Sequence, residues 1–112
     1  MAQVIVALPR QTRARFFSGL ADPARLALLD VLRKGELTAG DASVAAGLSP
    51  SNTSKHLACM RDCGLVESRQ DWRRVYYRLA TGVTQMLEAN DAFIAGVADR
   101  IDACERPEMP TF

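Results

Sequence analysis

"LTAGDASVAAGLSPSNTSKHLACMRDCG", residues 37–64, contains the local signals from which the fold can be predicted. Its first half predicts a short helix, because Thr38 with Asp41 three residues later has the form of a capping box. This helix should end at about Ala46, since a glycine follows and starts a tight turn. One short helix and a turn are therefore expected at the beginning of the stretch.

The second half of the stretch predicts a longer helix at about residues 50–63. Ser49 is suited to the N-cap, Pro50 to the first helical position, and Gly64 to a left-handed stop. Two helices joined by such a turn form a helix-turn-helix unit, whose second helix enters the major groove of DNA. The stretch therefore favours nucleic-acid binding.

The flanking sequence adds a wing and further helices. Two β-prone runs at about residues 65–79 flank "DWR" and predict a hairpin directly after the unit. Amphipathic spacing predicts a first helix in residues 8–20, and the pair Asp22 and Pro23 starts a second. The expected fold is mainly α with a small β-hairpin, a winged helix-turn-helix that forms a single domain over residues 1–112.

The last helix, at about residues 83–103, carries a seam of residues that recur at alternating steps of four and three. The seam consists of Val83, Leu87, Asn90, Ile94, Val97 and Ile101. Such a seam is typical of a helix that packs along a partner helix, so the terminal helices are expected to form a homodimer. Packing of the seam within one chain is the alternative.

The net charge of +1 hides an uneven distribution along the chain. Residues 1–34 carry +4 and residues 49–79 carry +3, whereas residues 80–112 carry −4. A basic front half suits a protein that presents one face to an acidic partner. No apolar run approaches the about 20 residues that span a membrane, so a cytoplasmic protein without a membrane partner is expected. The chain also lacks the motifs of hydrolases and thiol oxidoreductases, so neither an enzyme nor an organic cofactor is expected.

Candidate DNA contacts lie at the start of the second helix of the unit and on the hairpin. They are Ser51, Asn52, Ser54, Lys55, His56, Arg69, Arg73 and Arg74. Asn52 can pair bidentately with adenine, whereas the serines and Lys55 are suited to phosphates. The hairpin arginines can reach the DNA backbone or a minor groove. Trp72 stands at the hairpin tip, where a residue that tolerates positive φ is expected, so the tip conformation stays open.

The three cysteines, Cys59, Cys63 and Cys104, do not suggest a disulfide framework, because their number is odd and no export signal precedes them. Cys59 and Cys63 are four apart on a helix, where Cβ atoms lie about 6 Å apart and two thiolates can share one metal ion. Packing is the alternative, and on the helical wheel Cys63 borders the apolar stripe while Cys59 falls further round. A redox switch is another alternative for the thiols, and His56 is a candidate fourth ligand.

Three stretches resemble the ArsR/SmtB family of small bacterial metal-responsive repressors. They read "LADPARLALLDVL", "SPSNTSKHLACMRDCGLVESR" and "RRVYYRL", and the likeness covers roughly residues 12–80. It implies a dimeric winged helix-turn-helix protein that binds an inverted-repeat operator in double-stranded DNA and leaves when a metal binds. Two common metal sites of the family are missing, because Thr38 and Gly40 replace one cysteine pair and Ala80 and Gly82 replace ligands on the last helix.

The cysteine pattern resembles that of the CmtR-like cadmium and lead sensors of the family. In those sensors two cysteines of the recognition helix join a third from the C-terminal region, which implies Cys59, Cys63 and Cys104 as ligands here. Three thiolates favour soft ions, so Cd(II) or Pb(II) is the expected effector, with Hg(II) and Zn(II) as alternatives. A thiol redox-sensing repressor of the same fold is the alternative function.

Overall fold

The computed structural model describes residues 7–104, and residues 1–6 and 105–112 of the expected single domain lie outside the described part. Five helices and three strands occur in the described chain. In order they are α1 (Arg10–Leu20), α2 (Pro23–Leu32), β1 (Leu37–Thr38), α3 (Ala39–Ala46), α4 (Pro50–Asp62), β2 (Val66–Asp71), β3 (Arg74–Leu79) and α5 (Val83–Asp102).

The helix-turn-helix unit consists of α3 and α4, and both helices begin at the predicted caps. The Thr38 hydroxyl accepts a hydrogen bond from the Asp41 N–H at 3.1 Å, and the Ser49 hydroxyl accepts one from the Asn52 N–H at 3.2 Å. Each hydroxyl satisfies one of the free N–H groups of a first helical turn. Gly47 between the helices has φ +70, a conformation that glycine adopts without strain.

The wing is larger than the predicted hairpin. β2 and β3 pair antiparallel as expected, but β1 adds a third strand on the other side of β3. Leu37 pairs with Tyr77 and Thr38 with Tyr76, so the residue that caps α3 also lies in the sheet. Sequence reasoning missed β1 because two residues are too short to show an alternating pattern.

The core lies between α2, α3, α4, the first residue of β2 and the first turns of α5. Its fully buried large side chains include Leu28, Leu29, Leu57, Met60 and Val66. Because one face of α4 is buried here, its opposite face is held at the surface in a fixed orientation. No helix within residues 7–104 has the length and apolar character needed to cross a membrane.

The predicted seam of α5 divides into two parts. Val83 and Leu87 are buried in the core of the chain, whereas Ile94 is 46% and Ile101 53% exposed. Packing within one chain therefore accounts for the first part of the seam and leaves the second part in contact with solvent.

The wing tip holds Trp72 at φ +57, and no other non-glycine residue of the described chain has a positive φ. Its side chain is 80% exposed, with the Arg73 guanidinium 4.7 Å from the ring centroid. A side chain with a Cβ costs about 1–2 kcal/mol in left-handed conformation. The tip thus combines a strained backbone with a large exposed ring.

Two substitutions at the tip separate backbone strain from the loss of the ring. Trp72→Gly and Trp72→Ala both remove the indole, but only glycine also removes the Cβ that is unfavourable at positive φ. We expect the free energy of unfolding of Trp72→Gly to exceed that of Trp72→Ala by about 1 kcal/mol. Urea unfolding followed by circular dichroism measures the difference, and equal stabilities would show that the tip changes conformation to relieve the strain.

Candidate DNA interface and thiol site

The N-terminal half of α4 presents the predicted polar residues to solvent. Its exposed residues are Ser51, Asn52, Ser54 and Lys55. Between them Thr53 is buried, so the exposed residues share the face of α4 that is turned away from the core. This face is a surface on which the side chains are free to contact a ligand as large as DNA.

The three predicted wing arginines differ in their surroundings. Arg73 and Arg74 are exposed at the tip and the start of β3. Arg69 instead donates to the carboxylate of Glu36 from its Nε at 2.9 Å and from its Nη2 at 2.6 Å. Its guanidinium also lies 4.6 Å from the centroid of the Tyr76 ring. Arg69 therefore ties the wing to the segment before β1, and its contact with DNA stays a prediction.

The ion pair with Arg69 lowers the pKa of Glu36. Hydrogen bonds from the Arg69 guanidinium, together with its charge, hold the pKa of the Glu36 carboxyl below its ordinary value. Glu36 is therefore ionised at neutral pH and keeps Arg69 engaged.

The two helix cysteines are adjacent at the C-terminal end of α4. Cys63 is the C-cap residue, and its N–H donates to the Cys59 carbonyl at 3.0 Å. Cys59 is half-buried and Cys63 is exposed, so the expected order of exposure was wrong. The reason is a contact from α2, where Arg25 lies over Cys59 with its Nη2 3.2 Å from the sulfur.

The neighbouring thiols affect each other electrostatically. Partial desolvation raises the pKa of the Cys63 thiol, and the adjacent Cys59 raises it further. Both effects oppose ionisation of Cys63 in the metal-free protein. Two adjacent sulfurs on a rigid helix fit two ligand positions of a soft metal ion, whose binding would displace the thiol proton.

The third predicted ligand lies apart from this pair. Cys104 is exposed just after α5, and its N–H donates to the Ile101 carbonyl at 3.2 Å. Within the part of the chain that the structure describes, no three His, Cys, Asp or Glu side chains form a group that could hold a metal ion. One chain therefore brings Cys59 and Cys63 together without Cys104.

His56 is held by the same arginine as Cys59. The Arg25 Nε–H donates to the His56 Nδ1 at 3.2 Å, so in the neutral imidazole the ring proton is on Nε2. Sequence reasoning missed Arg25 because its position in the first turn of α2 gives no sign of a contact with α4. The roles predicted for His56, in DNA contact or as a fourth ligand, stay predictions.

Residues 22–68 match the family described as "Bacterial regulatory protein, arsR family". Over 96 residues the chain is 38% identical to the probable mercury resistance operon repressor of Streptomyces lividans, an alignment that covers 85% of this chain and 77% of that protein. The chain belongs to the ArsR family. The HTH-type transcriptional regulator CmtR of Mycobacterium tuberculosis is 36% identical to this ArsR-family chain in an alignment of 104 residues that covers 86% of the chain and 88% of CmtR.

The crystal structure of M. tuberculosis Rv0081 has the same fold as this ArsR-family chain. It superposes with a TM-score of 0.76 at 31% identity and covers 81% of this chain and 94% of Rv0081. The prediction of a winged helix-turn-helix is confirmed, as is the family resemblance. The relatives are transcriptional regulators, which also confirms that the protein is a DNA-binding regulator and not an enzyme.

Removal of the Glu36 charge tests how much the ion pair restrains Arg69. In Glu36→Gln the guanidinium loses its carboxylate and is free to contact a phosphate. We expect tighter DNA binding and a log–log salt slope steeper by about 0.9, the contribution of one phosphate contact. Fluorescence anisotropy at several salt concentrations measures both quantities.

Glu67→Gln is the matched control, because Glu67 pairs with Arg78 at 3.1 Å and its removal changes the net charge equally. This control should leave the salt slope unchanged. A Glu36→Gln slope equal to that of the unsubstituted protein would show that Arg69 does not reach DNA when it is released.

Proposed function

We propose that this ArsR-family protein is a metal-responsive repressor that binds an inverted-repeat operator as an apo homodimer. Cd(II) or Pb(II), bound by the thiolates of Cys59, Cys63 and Cys104, releases it from DNA. The observation that carries the proposal is that Cys59 and Cys63 are adjacent at one end of the helix whose other end exposes Asn52. A ligand on the thiols thus acts directly on the element that reads DNA.

An exposed apolar surface supports the homodimer. Phe17 of α1 is 61% exposed and Phe93 of α5 is 73% exposed, and together with Ile94 they line a groove between α1, α2 and α5. The exposed half of the α5 seam continues this surface. A second copy of the chain would bury it and would pair two recognition helices across a symmetric operator.

The separation of Cys104 from the other two thiols supports a shared metal site. Cys104 follows the 20-residue helix α5, whose exposed seam forms part of the proposed dimer surface. Cys104 of one copy would therefore complete the site begun by Cys59 and Cys63 of the other. In this arrangement metal binding ties α4 to the second copy and changes its position on DNA.

The charge of the metal–thiolate site explains why metal binding would release the protein from DNA. Soft divalent ions form strong bonds to thiolates and accept three ligands. Cys59, Cys63 and Cys104 lose their protons when they become ligands, and three thiolates with one divalent ion leave a net charge of −1 at the end of α4. This charge opposes DNA phosphates. Because the pKa of Cys63 is raised, protons compete with the metal, and metal affinity should increase with pH.

DNA recognition is tested with two substitutions that should act differently. Asn52→Ala should lower the preference for the operator over other sequences by about 1–3 kcal/mol, since it removes a base contact. Arg74→Ala should weaken binding to all sequences and reduce the salt slope by about 0.9, since it removes a phosphate contact. Competition titrations with operator and unrelated DNA measure both effects, and a uniform loss for Asn52→Ala would contradict its role in sequence reading.

Metal sensing is tested by titration of the reduced apo-protein with Cd(II) and Pb(II). We expect thiolate-to-metal absorption in the ultraviolet that saturates at one ion per protomer, together with release of DNA. Cys59→Ser should abolish the response. Release that requires peroxide and no metal would instead support the redox-sensing repressor.

A mixed dimer decides which copy supplies the third ligand. One chain carries Cys59→Ser and Cys63→Ser, and the other carries Cys104→Ser. If ligands come from both copies, the mixed dimer regains one three-thiolate site, whereas each homodimer has none. Absence of that site in the mixed dimer would show that each chain supplies its own Cys104.

A further inference from the structure

Arg25 connects three parts of the molecule through one guanidinium group. Its Nε donates to His56 Nδ1 at 3.2 Å, its Nη2 donates to Cys59 Sγ at 3.2 Å, and its Nη1 donates to the Gly19 carbonyl at 3.4 Å. His56 and Cys59 lie on α4, and Gly19 lies in the last turn of α1. The half-buried Arg25 thus links the DNA-reading helix to the helix that precedes α2.

The acceptors of Arg25 are unusual because none of the three is a carboxylate. Among the residues of the described chain, no carboxylate forms an ion pair with Arg25. Arg69 shows the ordinary arrangement, since its Nε and Nη2 both bind the Glu36 carboxylate. Arg25 presents the same edge of the guanidinium to two separate acceptors, a sulfur and a ring nitrogen. Its charge has no anionic partner until one of them becomes negative.

We propose that Arg25 is a positioning residue that transmits the state of the thiol pair to His56 and thereby to the DNA-contacting face of α4. In the metal-free protein the guanidinium is shared between Cys59 and His56. When Cys59 is a thiolate ligand in a site of net negative charge, its sulfur becomes the stronger acceptor and draws the guanidinium away from His56. This inference rests on the proposed function, because it assumes that a metal ion binds the thiols.

The consequence for DNA binding follows from the position of His56. His56 lies one helical turn after Asn52, so the two residues are neighbours on α4. While Arg25 holds Nδ1, the imidazole orientation is fixed. Loss of that hydrogen bond frees the ring beside the base-reading residue, so a contact present in the free protein is absent in the metal-bound one. Such a difference is what couples two binding sites.

The first test uses the fact that His56 is the single histidine. Its ring nitrogens therefore give unique signals in the nuclear magnetic resonance spectrum of ¹⁵N-labelled protein. In the apo-protein we expect an unprotonated Nδ1 that accepts a hydrogen bond and a protonated Nε2. Addition of Cd(II) should shift the Nδ1 resonance toward that of a free acceptor, and Arg25→Gln should produce the shifted position without metal.

The second test measures coupling with Arg25→Lys. Lysine keeps the positive charge near Cys59, but its single ammonium group lacks the planar edge that joins Cys59 to His56. We expect Arg25→Lys still to bind Cd(II), judged by thiolate absorption, with an affinity loss of about 10–100-fold, as is typical when a partner of a metal ligand is changed, so that Cd(II) is added to saturation. The loss of DNA affinity at saturating Cd(II) should shrink by at least about fivefold, the lower end of typical coupling between two sites.

Arg33→Lys is the matched control. Arg33 directly follows α2 and pairs with Asp91 at 2.9 Å, so this exchange should leave both metal affinity and DNA release unchanged. The inference is wrong if Arg25→Lys releases DNA as fully as the unsubstituted protein, or if Cd(II) leaves the His56 resonances in place. The His56 measurement on the unsubstituted protein decides the matter even if both Arg25 variants fail to fold. An unsubstituted protein without Cd(II)–thiolate absorption or DNA release would instead refute the proposed function.

Discussion

The packing of α4 on α2 fixes where the polar face of α4 and its cysteines lie. Leu57 and Met60 of α4 belong to the same buried cluster as Leu28 and Leu29 of α2. Burial of four such side chains contributes about 1.5–3 kcal/mol each and leaves α4 one orientation on the core. This orientation exposes the polar face to DNA and places Cys59 beside Arg25. The DNA interface and the thiol pair are therefore two consequences of one helix–helix contact.

Guanidinium groups supply most of the specific contacts outside this core, and their partners determine what they do. Arg69 is fixed by an ionised carboxylate and holds the wing against the segment before β1. Arg25 is held by a thiol sulfur and an imidazole nitrogen rather than by a carboxylate, and it can respond when the sulfur becomes a metal-bound thiolate. The same chemical group thus stabilises a permanent contact in one place and a changeable one in another.

Local sequence signals predicted the elements well, because capping and turn formation depend on residues a few positions apart. Thr38 and Ser49 cap their helices as expected, and Gly64 has the predicted left-handed conformation with φ +81. Contacts between elements could not be predicted in the same way. Arg25 and His56 are 31 positions apart, and no periodicity links them. The predicted order of exposure of Cys59 and Cys63 was wrong for the same reason, because the burial of Cys59 comes from its contact with Arg25 on another helix.

The position of Trp72 determines which part of the protein its intrinsic tryptophan fluorescence reports on. It is the single tryptophan, and it lies at the exposed wing tip far from the buried cluster of α2 and α4. Its indole is in contact with water in the folded state, so loss of core packing changes its surroundings little. Tryptophan fluorescence should therefore change when another molecule binds at the wing. It should change little when the core unfolds.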